Sequence, residues 1–209
     1  MIFPSTGLYA ITQTENKTPD NIIQDVSEAL KGGAQVIQYR DKNPQDQVYL
    51  AKQLLKICKQ YHVPLLINDN AELAYQVGAD GVHIGKYDDS LTTARKILGP
   101  KAIIGQSCYD DINLAVQAEK KGADYVAFGR FFPSNSKPLA LPAHIATLRL
   151  AKAQIKVPIV AIGGILPDNG ADLLLAGANL LAVIGGIFDH NPESSARKYT
   201  ELFQDNKSP

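Results

Sequence analysis

Gly78-Ala79-Asp80-Gly81-Val82-His83-Ile84-Gly85 reads as a helix stop, a tight turn and a short buried strand. Glycine ends a helix readily, and the apolar run after it is strand-length rather than helix-length. The same opening recurs as Gly33-Ala34-Gln35, Gly122-Ala123-Asp124 and Gly177-Ala178-Asn179, at spacings of 45, 44 and 55 residues. A spacing of this size marks a repeated unit of helix, turn and strand.

Outward from these repeats, short apolar runs alternate with amphipathic segments. Strands are expected near 7–12, 35–40, 64–69, 81–85, 102–107, 125–129, 158–163 and 180–185. Helices are expected near 19–31, 44–61, 70–77, 90–98, 111–121, 142–154, 168–176 and 192–204. Thr18-Pro19, Asn43-Pro44 and Asn191-Pro192 place proline just inside a helix, where its missing N–H costs nothing. The repeats precede the second, fourth, sixth and eighth strands. Such alternation predicts an α/β fold, a single-domain (βα)8 TIM barrel over residues 1–209 with 205–209 as a frayed tail. A doubly wound open sheet is the alternative, since alternation alone does not prove closure.

Composition narrows the function classes. The chain has 209 residues, enough for one sizeable core, and its 21 Lys and Arg balance 21 Asp and Glu. With no broad basic field, nucleic acid is not an expected partner. The longest apolar run, Leu173 to Phe188, is broken by Gly177, Asn179, Gly185 and Gly186, so no membrane span is expected. The two cysteines, Cys58 and Cys108, fit a reducing compartment, and Met1-Ile2-Phe3-Pro4-Ser5 lacks the pattern of a signal peptide. A cytoplasmic location follows as the expectation. A homo-oligomer stays open, because composition does not bear on it.

A barrel carries its chemistry at the carboxyl ends of its strands. There Gln38, Arg40 and Lys42 alternate, so strand geometry sets them on one face. Cations placed where a strand is buried must be paired or must meet an anion, and an anionic substrate is the natural candidate. Asn68 and Asp69 end the third strand, Asp88 lies in the loop after the fourth, and Ser107 ends the fifth. Ser134-Asn135-Ser136-Lys137 after the sixth is a hydroxyl-rich loop closed by a lysine, suited to cradle an anion. Gly163-Gly164 and Gly185-Gly186 follow the seventh and eighth strands, where many TIM barrels bind phosphate through backbone N–H groups. Asp69 and Asp88, 19 residues apart on neighbouring loops, suit Mg2+ shared with a substrate diphosphate. Each feature has an ordinary alternative: a helix cap for Asp69, a turn for Asp88, tight turns for the glycines. Their combination with the cations favours a site. His83 is expected to be a supporting strand residue, and His62, His144 and His190 to be surface groups. Cys108 has no paired histidine, so a thiol nucleophile is not expected.

Taken together these residues resemble the thiamine phosphate synthase family, over nearly the whole chain. The signatures are Leu8-Tyr9, Gln38-Tyr39-Arg40-Asp41-Lys42, Pro64 through Asn68-Asp69, Gly78 through Gly85, Ile103 through Ser107, Gly122 through Tyr125, Phe132 through Pro138 and Val160 through Ile165. The resemblance implies a transferase joining 4-amino-2-methyl-5-hydroxymethylpyrimidine diphosphate to hydroxyethylthiazole phosphate, giving thiamine phosphate and pyrophosphate. It implies that Gln38, Arg40, Lys42, Asn68, Ser107 and Lys137 hold the pyrimidine diphosphate. Among them, Arg40, Lys42, Ser107 and Lys137 would be the catalytic residues, and Arg40, Lys42 and Lys137 would stabilise charge on the departing pyrophosphate. Asp69 and Asp88 would hold Mg2+, while Ser134 and Ser136, with the backbone around Gly164, Ile184 and Gly185, would bind the thiazole phosphate. In this family the bond breaks early, and the thiazole nitrogen captures a pyrimidine methylene cation.

Departures from the family pattern are Lys86 for glutamine, Ser134 and Ser136 for threonines, and Gly185 for a frequent serine. The related thiazole tautomerases rely on a histidine near the end of the fifth strand, where this chain has Ser107-Cys108-Tyr109. The synthase is therefore the favoured resemblance. A non-catalytic binder of thiamine phosphates is the alternative of a different class.

Overall fold

Runs such as Leu65-Leu66-Ile67 are apolar on both faces, which suits a strand covered from both sides. The computed structural model describes residues 1–85, 90–134 and 141–205. In it the strands are β1 Gly7–Ile11, β2 Val36–Tyr39, β3 Leu65–Asn68, β4 Gly81–Ile84, β5 Ile103–Tyr109, β6 Tyr125–Phe128, β7 Ile159–Ile162 and β8 Leu180–Val183. Each pairs in parallel with the next, and β8 pairs with β1, so the sheet is a closed barrel. The open-sheet alternative is thereby excluded.

Alternate residues of seven strands serve two cores, while β4 adds apolar side chains only to the outer one. Tyr9, Ile11, Val36, Leu66, Ile103, Tyr125 and Val160 pack inside the barrel. Leu8, Ala10, Ile37, Leu65, Ile67, Val82 and Ile104 pack outward beneath the helices. Those helices are α1 Pro19–Lys31, α2 Gln47–Gln60, α3 Ala71–Val77, α4 Leu91–Leu98, α5 Ile112–Lys120, α6 Ile145–Gln154, α7 Pro167–Ala176, α8 Gly185–Phe188 and α9 Pro192–Asp205.

The repeats do more than end helices. Gly78 takes the left-handed conformation at the end of α3 as expected. The polar residue that follows then clasps the neighbouring strand. Leu65 N–H donates to Asp80 Oδ2 at 3.0 Å, and Asp80 N–H donates to the Leu65 carbonyl at 3.0 Å. Asn179 makes the same reciprocal pair with Ile159 on β7. Gln35 keeps only the backbone half, donating its N–H to the Leu8 carbonyl at 2.8 Å. The extra methylene of glutamine takes its amide back to Gly33 O instead.

The largest departures from expectation are two helix starts and one additional helix. Helix α2 begins at Gln47 rather than at Pro44, because Asp46 is its cap and accepts the Tyr49 N–H at 2.9 Å. Residues just before it are bound elsewhere, with Asn43 N–H donating to Asp41 Oδ1 at 3.0 Å. Helix α6 begins at Ile145 rather than 142, and the short helix α8 directly after β8 was not foreseen. Helix α9 runs through Asp205, and the remainder of the expected tail, 206–209, lies outside the described residues.

Candidate active site

A cavity of about 1220 Å³ opens at the carboxyl ends of the strands. It gathers Gln38, Arg40 and Lys42 from the end of β2, Asn68 and Asp69 from β3, and Ser107 from β5. Ser134 after β6, Gly164 after β7, and Ile184 and Gly185 after β8 line the same space. Every candidate site residue that is described is therefore in one cavity. Asp88, Ser136 and Lys137 lie outside the described residues, as does Lys86.

The cationic arm is held by its own local bonds. Strand β2 stops at Tyr39, so Arg40 and Lys42 leave the ladder, yet both still reach the cavity. Thr12 Oγ1 accepts the Arg40 N–H and donates to the Arg40 carbonyl, both at 2.9 Å. Asp41 accepts from Thr14 Oγ1 at 3.1 Å, from Tyr39 OH at 3.3 Å and from the Asn43 N–H. Three donors from two segments thus fix the turn between the two cations. Burial first, and then the Asp41 charge, push the Tyr39 phenol well above its ordinary range, so it stays a donor.

Asp69 is not a helix cap. That role belongs to Asn70, whose Oδ1 accepts the Leu73 N–H at 2.8 Å. Asp69 instead has a φ of 63°, a left-handed backbone that most side chains resist and Asp tolerates. Its N–H donates to the His83 carbonyl at 2.8 Å, and Asn68 Nδ2 donates to its Oδ2. Strain of this kind, with the carboxylate exposed to the cavity, is characteristic of functional positions.

A hard oxygen donor on a cavity wall beside cations fits Mg2+, which takes one or two protein carboxylates and fills its shell from substrate and water. Among the described residues no cluster of three or more His, Cys, Asp or Glu gathers to hold a metal alone. Among the described residues, Asp69 could hold such an ion together with substrate oxygens.

The far side of the cavity suits a phosphate. Gly164 has φ 62°, and a Cβ there would lie 2.3 Å from the Pro133 carbonyl, so only glycine lets this loop press against the Ser134 loop. Ile184, Gly185 and Gly186 open α8, whose first N–H groups have no partner within the helix. Cys108 is buried, which pushes its thiol up to about 12, a setting unsuited to a nucleophile.

A family model described as thiamine monophosphate synthase matches residues 8–187. The chain belongs to the thiamine monophosphate synthase family. A thiamine-phosphate synthase from Nitrosococcus oceani is 50% identical over 200 residues, covering 94% of this chain and 92% of the relative. One from Alcanivorax borkumensis is 46% identical, covering 97% and 96%. The solved thiamine phosphate pyrophosphorylase from Pyrococcus furiosus superposes with a TM-score of 0.88 at 32% identity, covering 98% of both chains.

Against the pattern of the synthase family, the Gly185 departure has a structural counterpart. A Cβ on Gly185 would lie 2.4 Å from Asp189 Oδ2, so the Asp189 carboxylate stands where a serine side chain would begin. Two features of the cavity escaped the sequence reading. Arg130 lines it directly after β6, and the rule that singled out Arg40 at a strand end applies equally to it. Inside the barrel, His83 Nε2 meets Ser107 Oγ at 2.8 Å and His83 Nδ1 meets Tyr125 OH at 2.8 Å. No local pattern signals a contact between residues 42 positions apart.

Proposed function

We propose that this cavity condenses 4-amino-2-methyl-5-hydroxymethylpyrimidine diphosphate with hydroxyethylthiazole phosphate, releasing thiamine phosphate and pyrophosphate. The observation that carries the reading is the meeting of Gln38, Arg40, Lys42, Asn68, Asp69 and Ser107 in one cavity of a synthase-family barrel. Its volume, about 1220 Å³, exceeds the range of about 300–1,000 Å³ usual for single-ligand pockets, which suits two substrates bound together.

In this reading Gln38, Asn68 and Ser107 orient the pyrimidine half, and Arg40, Lys42 and Lys137 receive the diphosphate. Asp69 and Asp88 would hold Mg2+, which supplies neutralising charge to the diphosphate oxygens. The methylene C–O bond breaks first, its electron pair leaving with pyrophosphate, where Arg40 and Lys42 stabilise the growing negative charge. The lone pair of the thiazole nitrogen then forms the new C–N bond. Ser134, Ser136 and the backbone of Gly164, Ile184 and Gly185 hold the thiazole phosphate so that this nitrogen faces the methylene carbon. No protein nucleophile is required, which agrees with the buried, raised thiol of Cys108.

We place the reaction in the cytoplasm, on the strength of two buried, unpaired cysteines. Among the described residues no helix is long and apolar enough to cross a membrane. Purified protein given both precursors and Mg2+ should form thiamine phosphate and pyrophosphate in equal amounts. Absence of both products would refute the assignment.

A further inference from the structure

Inside the barrel a single chain of hydrogen bonds joins five side chains from five strands. Gln38 Nε2 donates to Tyr9 OH at 2.7 Å, Tyr9 OH meets Tyr125 OH at 2.8 Å, and Tyr125 OH meets His83 Nδ1 at 2.8 Å. His83 Nε2 closes the chain on Ser107 Oγ at 2.8 Å. Its two ends, Gln38 and Ser107, both line the cavity.

The direction of the chain follows from counting protons. An amide nitrogen only donates, so Tyr9 oxygen accepts from Gln38 and its own proton must go to Tyr125. Were Tyr125 to donate towards Tyr9 instead, the Tyr9 proton would have no acceptor. Tyr9 and Tyr125 are 1% and 0% exposed, and an unmet donor there is costly. Tyr125 therefore donates to His83 Nδ1, and the neutral ring carries its proton on Nε2. A doubly protonated ring would strand the Tyr125 proton in the same way. Burial drives both phenols well above their ordinary range, so each keeps its proton. Ser107 Oγ then accepts from His83, and its own proton is left for the cavity.

The ring that sets this direction is locked in place. Tyr125 stacks on Phe3 with centroids 4.0 Å apart and planes 6° from parallel. It crosses Gly105, where a Cβ would fall 1.9 Å from the Tyr125 Cζ.

We propose that Tyr125, backed by Tyr9, is a positioning residue that fixes His83 as the Nε2–H tautomer and makes Ser107 a hydrogen-bond donor to the pyrimidine diphosphate. The role of Ser107 rests on the functional reading above; the tautomer does not. The tautomer of a histidine is set by the bond its other nitrogen makes, and a chain of buried bonds makes that choice rigid.

The test is ¹⁵N NMR of histidine-labelled free protein, with His83 assigned among the four histidines by loss of its signals in His83→Gln. The expected result is a single neutral Nε2–H tautomer; an Nδ1–H tautomer or an imidazolium at neutral pH would overturn the proposal. This measurement needs no altered active site. In Tyr125→Phe, folded by circular dichroism, the tautomer lock should be lost. Its kcat should fall by about 10–100-fold, the size usual for a partner behind a ligating group, while KM for the thiazole phosphate holds. An unchanged tautomer with an unchanged kcat would also overturn it. A wild-type protein with the Nε2–H tautomer but no coupling activity would overturn the function and the role of Ser107, and leave the tautomer relay standing.

Discussion

The carboxylate of Asp124 accepts the Ile104 N–H at 2.8 Å, and the Asp124 N–H returns a 2.8 Å bond to the Ile104 carbonyl. The same Oδ2 takes Arg95 Nη2 at 2.7 Å, so one side chain joins the floor of β5 to helix α4. The ion pair is part exposed, 26% and 39% at its two side chains, and contributes little by itself. The buried Ile104 N–H matters more. Asp124→Ala should cost about 2 kcal/mol, mostly from leaving that donor unmet. Asp124→Asn should lose well under half as much, since Asn179 already plays this part for Ile159. Urea unfolding of the two variants checks the order; equal losses would mean that the Arg95 pair dominates.

Asp110 takes the place of a missing cap on helix α6. Its carboxylate accepts the His144 N–H at 3.0 Å, His144 Nδ1 at 2.6 Å and Thr147 Oγ1 at 2.6 Å. Burial opposes the charge, but these hydrogen bonds outweigh it and hold Asp110 below the usual carboxylate range. A lowered folded pKa means that the bond's stability is present above the unfolded value, near 3.8, and is lost as pH falls through the folded one. Asp110→Asn should therefore unfold at a lower temperature than wild type at pH 7, with the gap closing as pH falls below 3.8 and through the lowered folded value. A gap independent of pH would show that the carboxylate charge plays no part.

The order of strands and helices was legible because buried strands and amphipathic helices carry opposite periodicities, and glycine marks the joins. The reach of Arg40 and Asp69 into the cavity was legible for a related reason: polar groups at strand ends need partners. Contacts set by closure of the barrel were not. The bond between Tyr9 and Tyr125 was not foreseen, since nothing within either strand reports a partner 116 residues away. Helix α2 started late for a local reason of the same kind. Asn43-Pro44 has the form of a helix start, but the bond from Asn43 to Asp41 ties it to the turn that holds Arg40. Asp88, Ser136 and Lys137 came from the sequence and lie outside the described residues, so their roles rest on the family pattern.

Gly185 and Asp189 give a test of the phosphate side. The backbone at Gly185 has no positive φ, and the atom a new Cβ would meet is the tip of an exposed Asp189 side chain that can swing away. Gly185→Ser should fold normally and add a hydroxyl to the phosphate pocket while pushing a carboxylate from it. KM for the thiazole phosphate should fall by about tenfold, as for one added charge-assisted hydrogen bond, with kcat little changed. A raised KM would place the thiazole phosphate away from the start of α8.

Asp69 offers the cleanest test of metal binding, because its backbone and its charge can be separated. Asparagine tolerates the φ of 63° as aspartate does, and it keeps an oxygen for the Asn68 amide. Asp69→Asn should therefore leave the thermal midpoint near wild type while removing the anionic oxygen that a hard cation selects. Turnover at low Mg2+ should drop by about 10²-fold or more, the scale of losing one charge-stabilising element, and raising Mg2+ should recover part of it. Asp69→Ala should lose at least as much turnover and also some stability, since alanine resists the left-handed backbone. If Asp69→Asn keeps wild-type turnover across a Mg2+ titration, the metal is held without Asp69, and its strained backbone serves only the bond to His83.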